Sequence, residues 1–345
     1  MNIIICTEPS FADSTWCAKI LNGIHDKARN RRYNMYTEFE NGHNYDVGIL
    51  IGTNSAWMYN MANKLKKEFK IIFVNCRPND SSFVNGYVII DHAKASLQCL
   101  SYLKKCGRSK TAIFAVNPYS YTDTSKSVHF AEGDKFYNNG SLSECFESFQ
   151  KNIAKYDSVV CANYISAVFL IHKLKETGVS VPHDMFICSF GDSILNDKTN
   201  PTITTITTDY YLLGTQAVMI CPHVLKTPDN VSTTVTVGCR ITAKDSTNNM
   251  PFNYANIMSQ EFESENRFHS DPAVIEIERV EAAMLHCDEI DKKIIDGLIN
   301  NKSYINLSMA LFMSENTIKY RIKQLTKLTG CRSAKELVNI LKKYI

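Results

Sequence analysis

The sequence lacks the features of an exported, membrane-spanning or fibrous protein. Its longest strand-like apolar runs are five or six residues, whereas a membrane-spanning helix needs about 20. The first residues, MNIIIC, have neither a cationic start nor a small-residue cleavage site, so they do not form a signal peptide. We find no internal repeat and no low-complexity tract. These absences predict a cytoplasmic protein with no membrane partner.

Metal-binding and catalytic motifs are also missing. None of the 12 cysteines lies in a Cys-x-x-Cys pair, and no Cys/His cluster has zinc spacing. The thiols are expected to be reduced core residues, with no metal site. There is no P-loop, no G-x-G-x-x-G, no His-Glu-x-x-His and no ordered Ser/His/Asp set. We therefore expect neither an enzyme nor a cofactor.

Short apolar runs alternate with helix-length amphipathic stretches over the first 240 or so of the 345 residues. Fully apolar strands separated by helices predict an α/β fold with parallel sheets covered on both faces. Ligands of such folds bind at the carboxyl ends of the strands. The predicted strands are residues 3–6, 47–51, 71–74, 88–90, 112–116, 159–162 and 186–190.

The alternation ends near residue 245, in a stretch rich in asparagine. Residues 246–287 are interpreted as a linker followed by an acidic helix, a candidate dimer contact or transmitter. This organisation predicts a core over residues 1–245 and a small all-α domain over residues 288–345.

The last 44 residues differ in charge from the rest. Residues 302–345 carry nine Lys/Arg and two acidic residues, a net charge of +7, whereas the remaining residues carry 29 basic and 33 acidic ones. A short basic module behind an acidic body indicates an acidic partner such as double-stranded DNA.

Four short amphipathic helices are predicted in this module. They cover residues 290–299, residues 304–312, a helix after an N-cap at Ser314, and residues 333–344. The third helix is expected to bury Ile318, Ile322, Leu325 and Leu328, and the second helix is expected to bury Ala310. The basic outer face of the third helix suits the major groove of DNA. An ordinary amphipathic helix with a solvated basic face is the alternative. The expected DNA-binding residues, with Arg321 and Gln324 reading base edges, are Asn316, Thr317, Lys319, Tyr320, Arg321, Lys323, Gln324 and Lys327.

The module resembles the LuxR-type helix-turn-helix. The resemblance rests on residues 310–319 (ALFMSENTIK), Gly330 and residues 334–338 (AKELV). Residues 300–306 depart from the family pattern, so the start of the second helix is less well defined. The resemblance implies a DNA-binding domain over residues 288–345, and two-fold DNA sites make a homodimer the expected assembly.

The first 245 residues resemble the effector-binding core of LacI-type repressors, which has the type I periplasmic-binding-protein fold. The matching segments occur in the family's order, and they are residues 14–24 (STWCAKILNGI), 46–51 (DVGILI), 107–114 (GRSKTAIF), 176–184 (ETGVSVPHD) and 200–206 (NPTITTI). The resemblance implies two α/β lobes joined by three crossovers around a ligand cleft. The N-lobe is expected to span residues 1–117 and 208–226, and the C-lobe residues 118–207 and 231–245. The family's N-terminal headpiece is expected to be absent.

The family's ligand contacts are only partly matched. Lys126 stands in place of a ligand-binding arginine, Asn163 matches an asparagine, and Tyr210 matches an aromatic residue. Tyr164 and Gly191 replace carboxylates that hold sugar hydroxyls, which makes a plain hexose doubtful. The expected ligand-binding residues are Ser14, Trp16, Lys126, Asn163, Tyr164, Asp192 and Tyr210. Alternatively, Asn163, Tyr164 and Tyr210 are core or hinge residues.

Together these features predict a transcription regulator in which a small effector, such as a sugar, a nucleoside or a related metabolite, controls the helix-turn-helix. The alternative is a ligand-independent regulator whose body acts only in dimerisation or partner binding. That alternative predicts a filled or collapsed cleft.

Overall fold

A computed structural model describes residues 1–40, 43–65, 69–78, 86–252 and 271–344. The chain forms two compact units, residues 1–259 and 260–345. Most of the predicted linker, residues 253–270, lies outside the described residues. Within the described ranges, no helix combines the length and apolar character needed to cross a bilayer.

The first unit contains two six-stranded sheets, which confirms the predicted α/β fold with parallel sheets. All strand pairs of the first sheet are parallel. In spatial order its strands are β11 (Thr233–Val237), β5 (Gly86–Ile90), β4 (Lys70–Val74), β3 (Val47–Ile51), β1 (Asn2–Thr7) and β2 (Asn34–Tyr36).

The second sheet is parallel except at one edge, where β12 pairs antiparallel with β10. Its strands, in spatial order, are β12 (Cys239–Thr242), β10 (Thr204–Thr208), β9 (Phe186–Phe190), β8 (Ser158–Cys161), β6 (Thr111–Val116) and β7 (Lys135–Tyr137). All five residues of β3 and of β9 are buried, as expected for strands covered on both faces.

Helices cover both faces of each sheet. On the first sheet, α1 (Thr15–Asn30) and α7 (Tyr210–Lys226) pack on one face and α2 (Ser55–Leu65) on the other. On the second, α5 (Leu142–Gln150) and α6 (Tyr164–Glu176) cover one face, and α3 (His92–Lys105) covers the other. The short helix α4 (Tyr121–Ser127) contacts α3 and β6.

The lobe boundaries differ from those expected. The N-lobe was expected to reach residue 117, but the chain leaves the first sheet after β5, so α3 and β6 belong to the second lobe. Residues 231–245 were all assigned to the C-lobe, yet β11 pairs with β5 in the first sheet. A period-2 or period-3.6 pattern identifies an element, but the sheet that a strand joins depends on long-range pairing. The chain crosses between the lobes three times, between β5 and α3, between β10 and α7, and between β11 and β12.

The described residues of the second unit, 271–344, form a bundle of five helices around one core. Ile294 and Leu298 pack there with Ile318, Ile322 and Leu325. The helices are α8 (Pro272–Leu285), α9 (Glu289–Ile299), α10 (Tyr304–Leu311), α11 (Glu315–Leu328) and α12 (Ala334–Tyr344).

Two buried positions were predicted wrongly in this unit. Ala310 is exposed and Leu328 is 42% exposed, and both lie at or next to the last residue of their helices. Ser314 caps α11 as expected, since its hydroxyl accepts a hydrogen bond from the backbone N–H of Thr317.

Candidate ligand cleft and nucleic-acid interface

A cavity of about 460 Å³ lies between the two lobes of the first unit. Its walls include the carboxyl ends of β6, β8, β9 and β10 and the start of α1. All seven side chains expected at a ligand site line it, although they come from five separate segments of the chain. They are Ser14, Trp16, Lys126, Asn163, Tyr164, Asp192 and Tyr210.

Aromatic rings form one side of the cavity. The ring centroid of Trp16 lies 6.1 Å from that of Tyr210 and 5.6 Å from that of Phe11. Burial raises the pKa of Tyr210, so its hydroxyl stays protonated at neutral pH. Such a surface suits the face of a sugar ring or a base.

Lys126 does not present a free charge to the cavity. Its Nζ donates to Oδ1 of Asp123 at 2.8 Å and to the carbonyl oxygen of Ala162 at 2.9 Å. The Lys126 and Asp123 side chains are only 9% and 10% exposed. Lys126 Nζ also lies 5.3 Å from the ring centroid of Phe190. The ammonium group is therefore compensated within the second lobe.

Asn163 has a structural role in addition to its place in the cavity wall. It is the N-cap of α6: its Oδ1 accepts a hydrogen bond from the Ser166 N–H at 3.0 Å, and Ser166 Oγ completes a capping box. Its two amide N–H groups and the second lone pair of Oδ1 remain for a ligand. Ser14 likewise caps α1, while Tyr164 is partly buried and Asp192 is exposed.

Several polar residues of the cavity wall were not predicted, among them the buried residues His92 and Asn75. They are 5% and 4% exposed, and neither ring nitrogen of His92 nor Oδ1 of Asn75 has a hydrogen-bond partner among the described residues. Burial and the nearby Lys126 hold the pKa of His92 well below its usual value, so the imidazole is neutral. The only available sequence signal was that Asn75 directly follows an apolar strand and that His92 follows one after a single residue, Asp91.

The two lobes also touch at the rim of the cavity. The backbone N–H of Tyr121 donates to the carbonyl oxygen of Thr53 at 3.0 Å, and Asn54 forms an isolated bridge with Ser120. On the first-lobe side, buried Glu8 accepts the backbone N–H groups of Thr53 and Asn54 at 2.7 and 3.1 Å.

In the second unit, six of the eight expected DNA-binding residues lie on one exposed stripe of α11. The spacing of three to four residues keeps them on one helix face. Tyr320, for example, is 62% exposed, while Ile318, Ile322 and Leu325 point into the bundle. The six are Asn316, Lys319, Tyr320, Lys323, Gln324 and Lys327.

The other two residues are partly buried and bond to neighbouring groups of the protein. Thr317 Oγ1 is 2.8 Å from Ser314 Oγ at the start of the helix. Arg321 was expected to read base edges, but its Nη1 donates to Asp288 at 2.9 Å and to Asp291 at 2.8 Å. Arg321 precedes buried Ile322 and follows Ile318 by one turn, which directs its side chain toward the start of α9. Its guanidinium is held in an intramolecular ion pair.

The part of the chain that the structure describes has no group of three or more His, Cys, Asp or Glu side chains arranged to hold a metal ion. All 12 cysteines, which fall within the described ranges, are free thiols.

Residues 100–247 match the family described as periplasmic binding protein-like domain. A curated relative, catabolite control protein A of Staphylococcus epidermidis, is 29% identical over 82 residues, which is 24% of each chain. The chain thus spans about a quarter of that relative's length.

Solved structures of transcription regulators share the fold. A transcriptional regulator CelR–cellobiose complex superposes with a TM-score of 0.59 at 14% identity, covering 71% of this chain and 84% of that one. Regulator CcpA of Lactococcus lactis gives 0.56 at 20% identity, with coverages of 71% and 99%. A LacI family regulator from Weissella paramesenteroides with bound sucrose gives 0.56 at 12% identity, with coverages of 73% and 100%. These relatives are described as transcription regulators, none of them as an enzyme. The α/β unit of this chain therefore has the two-lobed periplasmic-binding-like fold that these solved regulators share.

Proposed function

We propose that the chain is a DNA-binding transcription regulator that binds a small effector in the cleft of its α/β unit. The effector, a sugar, a nucleoside or a related metabolite, controls the C-terminal LuxR-type helix-turn-helix over residues 288–345. The regulator acts in the cytoplasm as a homodimer on double-stranded DNA. An effector controls DNA binding by favouring one lobe arrangement over another, which alters the spacing of the two DNA-binding modules.

The cavity is the observation that carries the effector half of this proposal. It combines an aromatic side, formed by Trp16 and Tyr210, with polar groups from both lobes. Apolar walls with a few convergent polar groups are typical of small-molecule sites. Two regulators of the same fold are described with bound cellobiose and bound sucrose.

The exposed stripe of α11 supports the DNA half. Lys323, Gln324 and Lys327 lie on it, and α11 follows α10 after a short connection that begins with Phe312 in the left-handed region at φ +51°. A helix of this kind fits the major groove, where lysines contact phosphates and a glutamine amide reads adenine.

The alternative function is a ligand-independent regulator whose α/β unit only assembles with a partner. It is favoured by one observation: the Lys126 ammonium group and the Asn163 amide oxygen already have hydrogen-bond partners within the protein. Against it stands a cavity of about 460 Å³, because a pure scaffold is expected to fill this space with side chains.

DNA binding is tested with the full chain and a duplex enriched from a random pool by binding to it. Lys323→Ala is expected to weaken binding several-fold and to reduce the slope of log affinity against log salt by about 1. Lys335→Ala, which removes the same charge from α12, is the matched control and is expected to leave that slope unchanged. Equal losses in both variants would contradict the assignment of α11 as the recognition helix.

Effector binding is tested by the rise of the thermal unfolding midpoint with ligand concentration, since a ligand specific for the folded state stabilises it. Asn163→Asp keeps an N-cap oxygen for α6 but removes the amide N–H groups. This variant is expected to keep the midpoint of the unliganded protein and to lose most of the ligand-induced rise. An unchanged rise would show that Asn163 only caps α6.

A further inference from the structure

The cleft contains buried polar atoms that the protein itself leaves unsatisfied. Among the described residues, four side chains have buried polar atoms without a hydrogen-bond partner, and two of them, His92 and Asn75, line the cleft. Folded proteins satisfy nearly all buried polar groups, because an unmade hydrogen bond leaves the cost of desolvation uncompensated. Their presence in a cavity indicates that a bound molecule completes them.

The two residues are held firmly by different lobes. Asn75 follows β4 in the left-handed region at φ +68°, and its backbone N–H donates to the carbonyl oxygen of Val88 at 2.9 Å. Asparagine tolerates this conformation, which is uncommon for other side chains. His92 is the first residue of α3, and its ring meets that of Phe190 edge-on at 5.8 Å. A ligand that contacts both residues therefore bridges the lobes.

The hydrogen-bonding character of these atoms restricts the ligand. A neutral imidazole offers one N–H donor and one lone-pair acceptor, and the Asn75 amide oxygen is a second acceptor. The ligand must supply N–H or O–H donors to both acceptors and an acceptor to the imidazole. Hydroxyl and amide groups meet this requirement, whereas ionised phosphates and carboxylates carry acceptors only.

The charged side chains that line the cleft also disfavour an anionic ligand. Its lining contains one lysine, Lys126, and three aspartates, Asp13, Asp123 and Asp192. Asp123 already compensates Lys126, and burial lowers the pKa of His92 so that the ring is neutral. An anionic ligand would thus meet uncompensated aspartates and no free cation among the residues lining the cleft.

We propose that the effector is an uncharged compound that presents hydroxyl or amide groups to His92 and Asn75, and that phosphorylated or carboxylated analogues are rejected. This inference rests on the proposed effector-binding function. It assigns to His92 and Asn75 the discrimination between a neutral metabolite and its anionic counterpart.

The first test compares neutral and anionic partners on the full chain at pH 7.5, by the rise in thermal midpoint. D-glucose is compared with glucose 6-phosphate and gluconate, and adenosine is compared with adenosine 5′-monophosphate. Cellobiose is a further neutral probe. At least one neutral probe is expected to bind ten-fold or more tightly than its anionic partner. An anionic probe that binds as well as its neutral partner would overturn this inference but leave effector binding intact. No rise with any probe would count against the proposed effector function itself.

The second test uses variants that remove the unsatisfied atoms. His92→Leu and Asn75→Gly are chosen because leucine needs no hydrogen bond and glycine accepts a φ of +68°. Both are expected to keep or raise the midpoint of the unliganded protein, and to weaken binding of the neutral probe ten-fold or more. His92→Gln retains a donor and an acceptor and is expected to restore part of the affinity.

Asn248→Gly is the matched control for Asn75→Gly. Asn248 has a φ of +55° and is not among the residues that line the cleft. The same substitution at Asn248 therefore introduces glycine at a positive φ without changing the cleft. A fall of several degrees in the unliganded midpoint of His92→Leu would indicate a structural role for the ring. That result, or unchanged affinity in both cleft variants, would overturn the assignment.

Discussion

Arg321 Nη1 lies 2.8 Å from Asp291 Oδ1, and this contact joins α11 to the first turn of α9. Asp291 is also part of the capping box of α9, because its Oδ2 accepts the backbone N–H of Asp288. Hydrogen bonds from the Asp291 N–H and then from Arg321 lower the pKa of Asp288. The orientation of α11 thus depends on an arginine that the sequence pattern had assigned to DNA.

Arg321→Leu is expected to destabilise the C-terminal unit rather than to alter DNA readout. Because the Arg321 side chain is 25% exposed, the loss of its charged hydrogen bonds is expected to cost on the order of 1 kcal/mol. Chemical unfolding of the full chain measures this cost. Lys319→Leu, on the exposed stripe of the same helix, is the control for stability. If Arg321→Leu leaves the unfolding free energy unchanged but reduces the slope of log DNA affinity against log salt, Arg321 is a DNA contact after all.

Lys126→Met is expected to destabilise the α/β unit by about 3 kcal/mol, because it leaves the buried Asp123 carboxylate without its cation. The double variant Lys126→Met with Asp123→Asn is expected to recover much of this loss, since no charge then remains buried. Urea unfolding of the wild-type protein, the two single variants and the double variant gives the coupling energy. Equal destabilisation in the single and double variants would contradict a charge-driven effect.

Gly214→Ala is expected to force α1 and α7 apart. A methyl group at Gly214 would lie 2.0 Å from the carbonyl oxygen of Ile20, and one at Gly23 would lie 2.1 Å from that of Tyr211. Overpacking of backbone against backbone is expected to cost about 2–3 kcal/mol. Gly133→Ala is the control, because nothing lies within 4 Å of the added methyl. Thermal unfolding compares the two, and a Gly214→Ala midpoint equal to that of Gly133→Ala would disprove the close packing.

His92 is expected to make the protein less stable in mild acid. Its folded-state pKa lies well below the unfolded value of about 6.5, so below about pH 6.5 the unfolded chain takes up a proton that the folded chain does not. Folding stability therefore falls as the pH drops from 6.5, by up to about 1.4 kcal/mol per pH unit for this one group. His92→Leu removes this contribution. Between pH 7 and pH 5 its unfolding free energy is therefore expected to fall by about 2 kcal/mol less than that of the wild-type protein. Identical pH profiles would contradict a neutral, buried His92.

The sequence by itself determined the positions of seven of the twelve described strands, but it did not predict β2, β7, β10, β11 and β12. The apolar runs 47–51 and 186–190 coincide with β3 and β9, because a strand buried on both faces leaves a continuous apolar signal that is local in the chain. The helices of the C-terminal unit begin and end near the predicted residues for the same reason, since N-caps such as Ser314 act on neighbouring N–H groups. Gly23, part of the segment 14–24 that carries the family resemblance, has its explanation in the α1–α7 contact.

Tertiary structure alone decided the partners of these elements. No local pattern indicated that β11 would pair with β5, 143 or more residues away in the chain, or that α3 would cover the second sheet. The seven cleft residues converge because parallel strands bring their carboxyl ends to one edge, but the neutralisation of Lys126 by Asp123 depends on the exact geometry of α4. His92 and Asn75 carry no motif. Their significance lies in the hydrogen bonds that they do not make, a property of the folded environment and not of the residue order.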